Sequence, residues 1–241
     1  MTLPARWSHA LAAIMLAFAV TISVPAKAQQ LDPAYVDVVA AINEGIAKEA
    51  GVEATFAVIR RGYESDPVFA EAEARSPGFL DDLMAEFRPI FLDRSDRLDK
   101  ILTARIAALF ARHLTVGEAK ELAAFYRSDV MKRFNDRASR AYSPEHQLGD
   151  LTQDEEVSGD DVASDAKDAT NAAVRSTPAE DLLEIRRRTA ALSSRQKIAV
   201  IGPRMAAIRA EIENAPTTAE EDALIDAAIK RTLDKHFPNG F

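Results

Sequence analysis

Cysteine is absent from all 241 residues. That excludes disulfides, thiol catalysis, Cys-ligated zinc, iron–sulfur clusters and thiol-linked lipid anchors, since each needs sulfur that is not there. The fold therefore stands on packing alone. Cations are also in short supply, with 30 Lys+Arg against 38 Asp+Glu and a formal net charge of -8. An acidic balance disfavours a nucleic-acid partner, because phosphate contacts draw on clustered Lys and Arg. No Gly-rich phosphate loop and no Gly-x-Ser-x-Gly elbow occurs. What is plentiful is ordinary globular material, 47% hydrophobic and 28% charged, so neither a wholly disordered chain nor a polytopic membrane protein fits.

The longest apolar run is near the start. Met1 to His9 carry one Arg and no acid, Ala10 to Val24 form an apolar run of 15 residues, and Ala26-Lys27-Ala28 supplies small residues at the two cleavage-defining positions. The pattern is that of a secretory signal peptide over residues 1–28, with cleavage after Ala28. As a helix, the run reaches only about 22 Å, short of a hydrocarbon core of about 30 Å. The expectation is a periplasmic chain of net charge near -10, not an integral membrane protein after cleavage.

The rest reads as helix, and no period-two alternation is sustained long enough to require a sheet. Asp32-Pro33 is a start signal followed by Val36, Val39, Ile42 and Ile46 until Gly51. Ser76-Pro77 repeats it, leading into Leu80, Met84, Phe87 and Phe91, then Leu98, Leu102, Ile106 and Leu109 on one face, with Pro89 expected to kink or divide the stretch. Thr115-Val-Gly-Glu118 is a capping box, and only His113-Leu114 separates its helix from the preceding one, which predicts an antiparallel hairpin. Between Ser143 and Val174, nine acids stand against Lys167 alone. This reads as an acidic linker or loosely packed segment, within which Asp160 to Val174 is Ala-rich enough for a marginal helix. Thr177 with Glu180, Ser193 with Gln196 and Thr218 with Glu221 restart the helical signal. Ile198, Ile201, Met205, Ile208 and Ile212 then form a seam for packing on another helix, bent at Gly202-Pro203. The fold class is all-α, helical hairpins or a bundle, with an N-terminal helical domain at 29–142, the acidic segment at 143–174 and a C-terminal helical segment at 175–241.

The run from Ala111 to Ser128, with Leu114-Thr115-Val-Gly-Glu118 at its start and Phe125-Tyr126-Arg127-Ser128 at its end, resembles the exported bacterial proteins of domain of unknown function family 2059, over roughly Leu98 to Phe134. The family pattern usually continues past that Ser with Pro-x-Gly, a helix break. Here Asp129-Val130-Met131 stands instead, which allows the helix to run on to Tyr142. The resemblance implies an α-helical domain behind a signal peptide, with no catalytic residues to carry over. Leu151-Thr152-Gln-Asp-Glu155 and Arg175-Ser176 echo parts of the signature, but 24 residues separate Leu151 from Arg175 against 13 from Leu114 to Arg127, so no fixed-period repeat holds.

Chemistry-bearing residues are few. His113, His146 and His236 show no zinc spacing, and His113 reads as a helix C-terminal residue favoured by the dipole. Asp160, Asp161, Asp165 and Asp168 miss the calcium-loop pattern and its glycine. Arg186-Arg187-Arg188 reads as a solvated face paired with Glu180, Asp181 and Glu184, the alternative being phosphates of anionic lipid. No catalytic set, metal or cofactor is expected. The expected function is a non-catalytic envelope protein that presents helical surfaces, Ile201 and Ile208 on the seam above all, to a protein partner or a second copy. The alternative is a carrier of lipid or an apolar small molecule between Phe87, Phe91, Phe110 and Tyr126. Phe125, Tyr126 and Arg127 form the most distinctive surface candidate; Arg127 and Ser128 are placed to bond late carbonyls of their helix.

Overall fold

The computed structural model describes residues 31–147 and 156–240. The leader, its cleavage site and the Leu151–Glu155 echo lie outside the described residues. Ten helices and no strand occur among the described residues, which bears out the all-α expectation. None of them is long and apolar enough to cross a membrane.

Helix α1 (Pro33–Asn43) starts as read: the Asp32 carboxylate accepts the Ala34 N–H at 3.0 Å and Pro33 fills the first turn. It ends at Asn43 rather than at Gly51, which lies inside α2 (Lys48–Ser65). The turn falls at Gly45 because the chain presses there against a later helix. A Cβ would meet Asn135 Cβ at 2.9 Å and Lys132 Cα at 3.2 Å, so only glycine lets the turn sit that close. Helix α3 (Pro67–Arg75) has its own Asp-Pro start, Asp66 accepting from Val68 N at 2.8 Å.

Helix α4 (Phe79–His113) runs unbroken for 35 residues, about 52 Å at 1.5 Å per residue. Ser76-Pro77 does not open it; Gly78, at φ +91°, is the N-cap. Pro89 does not divide it, and Pro203 does not interrupt α9 (Arg195–Glu213). Both prolines and the residues four before them, Ala85 and Ala199, are exposed, so water satisfies the carbonyl that each missing N–H leaves free.

Helix α5 (Val116–Tyr126) begins with the expected capping box, Glu118 N to Thr115 Oγ1 at 3.2 Å and Thr115 N to Glu118 Oε2 at 2.7 Å. It stops at Tyr126, and α6 (Asp129–Arg140) follows a break at Arg127-Ser128. The break survives the missing Pro-x-Gly because Ser128 is extended (ψ 144°) and its hydroxyl donates to Phe125 O at 2.6 Å. Nor does α5 lie back along α4 as the hairpin reading had it. It packs chiefly on α1, which also contacts α4, and the Tyr35 hydroxyl donates to Leu114 O at 3.0 Å in the turn between α4 and α5.

The acidic segment is ordered where its alternative reading placed a helix, in α7 (Gly159–Ser176). Ser158 and Asp161 form a capping box that the sequence reading passed over, and Asp160 and Asp161 sit at the N-terminus, where the helix dipole favours negative charge. Val162, Ala169 and Ala173 face inward. Helix α8 (Ala179–Ala191) lacks the expected Thr177 box, because the Thr177 hydroxyl donates back to Ala173 O at 2.7 Å. Ser193 does not cap α9; its backbone and side chain both turn to Glu121. The last helix, α10 (Ala219–His236), has the expected Thr218–Glu221 box.

Two apolar clusters hang on α4. Near its C-terminal half, Val38, Ala41, Ala107, Phe110, Ala119 and Leu122 close together with Leu192 and Ile201. Near its N-terminal end, Tyr63, Phe69, Phe79, Leu80 and Leu83 pack with Ile225 and Ile229. The Ile198–Ile212 seam thus finds its helix within the chain: Ile201 is 1% exposed, and α9 packs on α4 and α7. Ile201→Ala is expected to cost about 2–5 kcal/mol, whereas Leu183→Ala, at 65% exposure, should stay within about 0.5 kcal/mol. Urea unfolding followed by circular dichroism reads both.

Candidate functional site

An open cleft lies between the turn Glu44–Ala50 and the outer face of α6, lined by Ile46, Lys132, Arg133, Asp136 and Arg140 among others. The Gly45 contact sets its depth, and Ala47 N–H donating to Ser139 Oγ at 2.9 Å fixes its far wall. Ile46 is 40% exposed there. The cations on the α6 wall all have acids beside them: Lys132 with Glu44 at 3.3 Å, Arg133 with Asp181 at 2.7 Å and Arg140 with Asp136 at 3.0 Å. Neutralised in this way, the cleft is a poor phosphate site, because no surplus positive charge remains to draw an anion.

The signature Phe125-Tyr126-Arg127-Ser128 forms one wall's support. Phe125 and Tyr126 pack edge-to-face, centroids 5.4 Å apart, and both lie half-buried against the first cluster. Burial pushes the Tyr126 phenol up. Arg127 does not bond late carbonyls. It forks onto Asp37 at 2.8 and 2.7 Å and reaches Glu44 through Nε at 2.7 Å, tying α1 to the α5–α6 break. The hydrogen bonds from Arg127 hold the Asp37 and Glu44 carboxyls below their ordinary values. Sequence reasoning missed Asp37, Glu44, Gly45 and Ile46; they stand about 80 to 90 positions from their partners on α5 and α6, and no local pattern marks them.

The residues proposed to enclose a carrier pocket do not converge. Phe110 belongs to the first cluster with Tyr126 against it, Phe87 packs on the second, and Phe91 meets Phe56 edge-to-face at 5.1 Å. Ile208 is half-buried against the first cluster beside Ile201. These side chains fill the joints around α4.

The histidines have partners that spacing could not show. His113 ends α4 and faces Arg204 Nη1 at 2.8 Å. His146 puts Nδ1 2.6 Å from Asp165, whose buried carboxylate also accepts from His146 N, Gln147 N and Gln147 Nε2. The hydrogen bond that the imidazole donates to the Asp165 carboxylate, with that carboxylate's charge, raises the His146 pKa. His236 joins Ser76 Oγ at 2.7 Å to Asp82 at 2.6 Å, the connectivity of a serine relay. Acyl transfer also needs free amide donors for the oxyanion. The Gly78 and Leu80 amides beside Ser76 are taken by Glu73 at 2.8 Å each, and Asp82 is shared with Lys235. The array is best read as a clasp between α10 and the α3–α4 corner. No group of three His, Asp or Glu suited to a metal occurs among the described residues.

Two opposite pH dependences follow. The lowered Asp37 and Glu44 carboxyls add stability at neutral pH that is lost as pH falls through those lowered values. Arg127→Gln should therefore lower Tm at pH 7, with the gap to the parent chain closing in acid. The raised His146 adds stability that is complete below its ordinary value near 6.5 and is lost as pH rises through the higher folded value. His146→Gln should flatten that alkaline decline. Thermal melts from pH 3 to 9 test both.

No curated protein and no solved structure matches the chain. The resemblance read at Leu98 to Phe134 does have its counterpart in the family comparison. Residues 100–149, about a fifth of the chain, comprising the end of α4, all of α5 and α6 and the residues that follow up to 149, match the family described as Uncharacterized protein conserved in bacteria (DUF2059).

Proposed function

We propose that this chain is an exported, non-catalytic protein of the bacterial envelope, periplasmic after cleavage behind Ala28, that binds a partner protein through the cleft between Glu44–Ala50 and α6. The cleft carries the reading: its α6 wall lies within the family-matched segment, the cations of that wall are already paired, and Ile46 is left exposed at its mouth. The leader pattern supports export, since charge, apolar length and small residues stand in the order that signal peptidase reads. The seam at Ile201 and Ile208, first choice from sequence, is no longer available as that surface. A non-catalytic role is supported by the occupied amides beside Ser76.

Native mass spectrometry of chain 29–241, isolated gently from the envelope, tests the reading. A protein-sized added mass that Ile46→Asp removes, with circular dichroism unchanged, is the expected result. A lipid-sized mass would instead favour the carrier. A bare chain, or an adduct indifferent to Ile46, would sink the cleft as the binding surface.

A further inference from the structure

Asp165 of α7 is 2% exposed, and the four hydrogen bonds that its carboxylate accepts among the described residues all come from one place, the segment 142–147 that follows α6. Oδ1 takes His146 N at 3.1 Å and His146 Nδ1 at 2.6 Å, and Oδ2 takes Gln147 N at 3.3 Å and Gln147 Nε2 at 2.8 Å. The carboxylate thus holds the amides of the turn at 145–147 as an N-cap would, but from another helix. The charges that bear on His146 are acids of α7, Asp165 first, then Asp168 and Asp161, which stand at i, i+4 and i+7 on one face. Lys167 lies about 200° round the helix from Asp165. The arginines that reach the segment from other helices meet different partners: Arg61 of α2 pairs with Glu145 at 2.6 Å, and Arg209 of α9 lies 5.5 Å over the Tyr142 ring with Glu213 at 3.4 Å.

We propose that the segment 142–147 is a pH-operated strap, shut on α7 while His146 carries its proton and released locally once that proton leaves, with the helices around it still folded. A hydrogen bond from imidazolium to carboxylate is roughly twice as strong as a neutral one, and loss of the cation leaves the buried Asp165 charge with neutral donors only. Water is close by. The His146 side chain is 49% exposed, so releasing the strap hydrates the carboxylate over a short path. Little else resists: Pro144 is the only buried apolar side chain of residues 143–147, and both partners of the Arg61–Glu145 pair are more than half exposed, which makes it a weak tie. Helix α7 itself stays, because what holds it is apolar and does not titrate. Its Val162, Ala169 and Ala173 are buried, and it packs on α6 and α9. Since 142–147 continues α6, the strap decides whether the end of that helix is tied to α7. It rests neither on export nor on the cleft.

Amide hydrogen exchange of chain 29–241, which holds every helix described, tests the strap when read residue by residue by NMR between pH 6 and 9, corrected for intrinsic rates, with and without subdenaturing urea. The His146 and Gln147 amides should lose protection about fivefold or more as pH rises through the raised His146 value. At pH 9 their exchange should ignore urea, whereas that of Leu122 and Ala123 in α5 should quicken with it, because only a global opening exposes enough surface for urea to act on. His146→Gln, which keeps a donor but gains no proton, should make strap protection independent of pH, and His113→Gln should leave the parent response in place. Strap protection that does not change with pH, that answers urea as steeply as α5, that keeps its pH response in His146→Gln or that loses it in His113→Gln overturns the proposal.

Discussion

Helix α4 is the constraint on which the other helices depend. One helix of 35 residues reaches both apolar clusters, and α1, α2, α3, α9 and α10 all pack on it. A rod about 52 Å long cannot bury its whole length against one neighbour of ordinary size, so shorter helices are laid along it in turn. Pro89 is tolerated inside it because that residue and Ala85, four before it, stay on the wet side.

Charged side chains then join what apolar packing leaves loose. Arg127 binds α1 to the α5–α6 break. Glu221, nearly buried, sits between Arg94 and Arg97 and fastens the start of α10 to the middle of α4, while Arg94 also donates to Ala215 O at 2.6 Å. Asp165 does the same work between the segment after α6 and α7. Without disulfides, these joints and the clasp at His236 supply the geometric definition that a cross-link would otherwise give. They also engage both carboxylate–histidine contacts, His146 with Asp165 and His236 with Asp82, in joining one helix to another.

The capping signals show where local reading succeeds. Thr115 with Glu118 and Thr218 with Glu221 formed as spaced, because both partners lie within one turn, although Lys197 also binds Glu118 and Arg94 and Arg97 also bind Glu221. Thr177 and Ser193 carried the same kind of signal and failed, their hydroxyls drawn to Ala173 O and Glu121. The cleft was invisible for a related reason. Gly45 and Ile46 looked like the tail of α1, and nothing in their neighbourhood tells that Asn135 and Lys132 arrive at their backs.

Helical content and the capped starts of α1, α5 and α10 were determined by sequence, since they follow from spacing within three or four residues and from hydroxyl and carboxylate caps beside them. Tertiary structure alone decided which face met which. The same isoleucine seam at 198–212 serves an external partner or an internal one with identical periodicity, and it was the presence of α4 and α7 at the right distance that buried Ile201. Likewise, the arginines of α8 became a surface only once α6 and α9 had covered the other side of that helix. Such choices depend on contacts between residues far apart in the chain, and a linear pattern carries no distance between them.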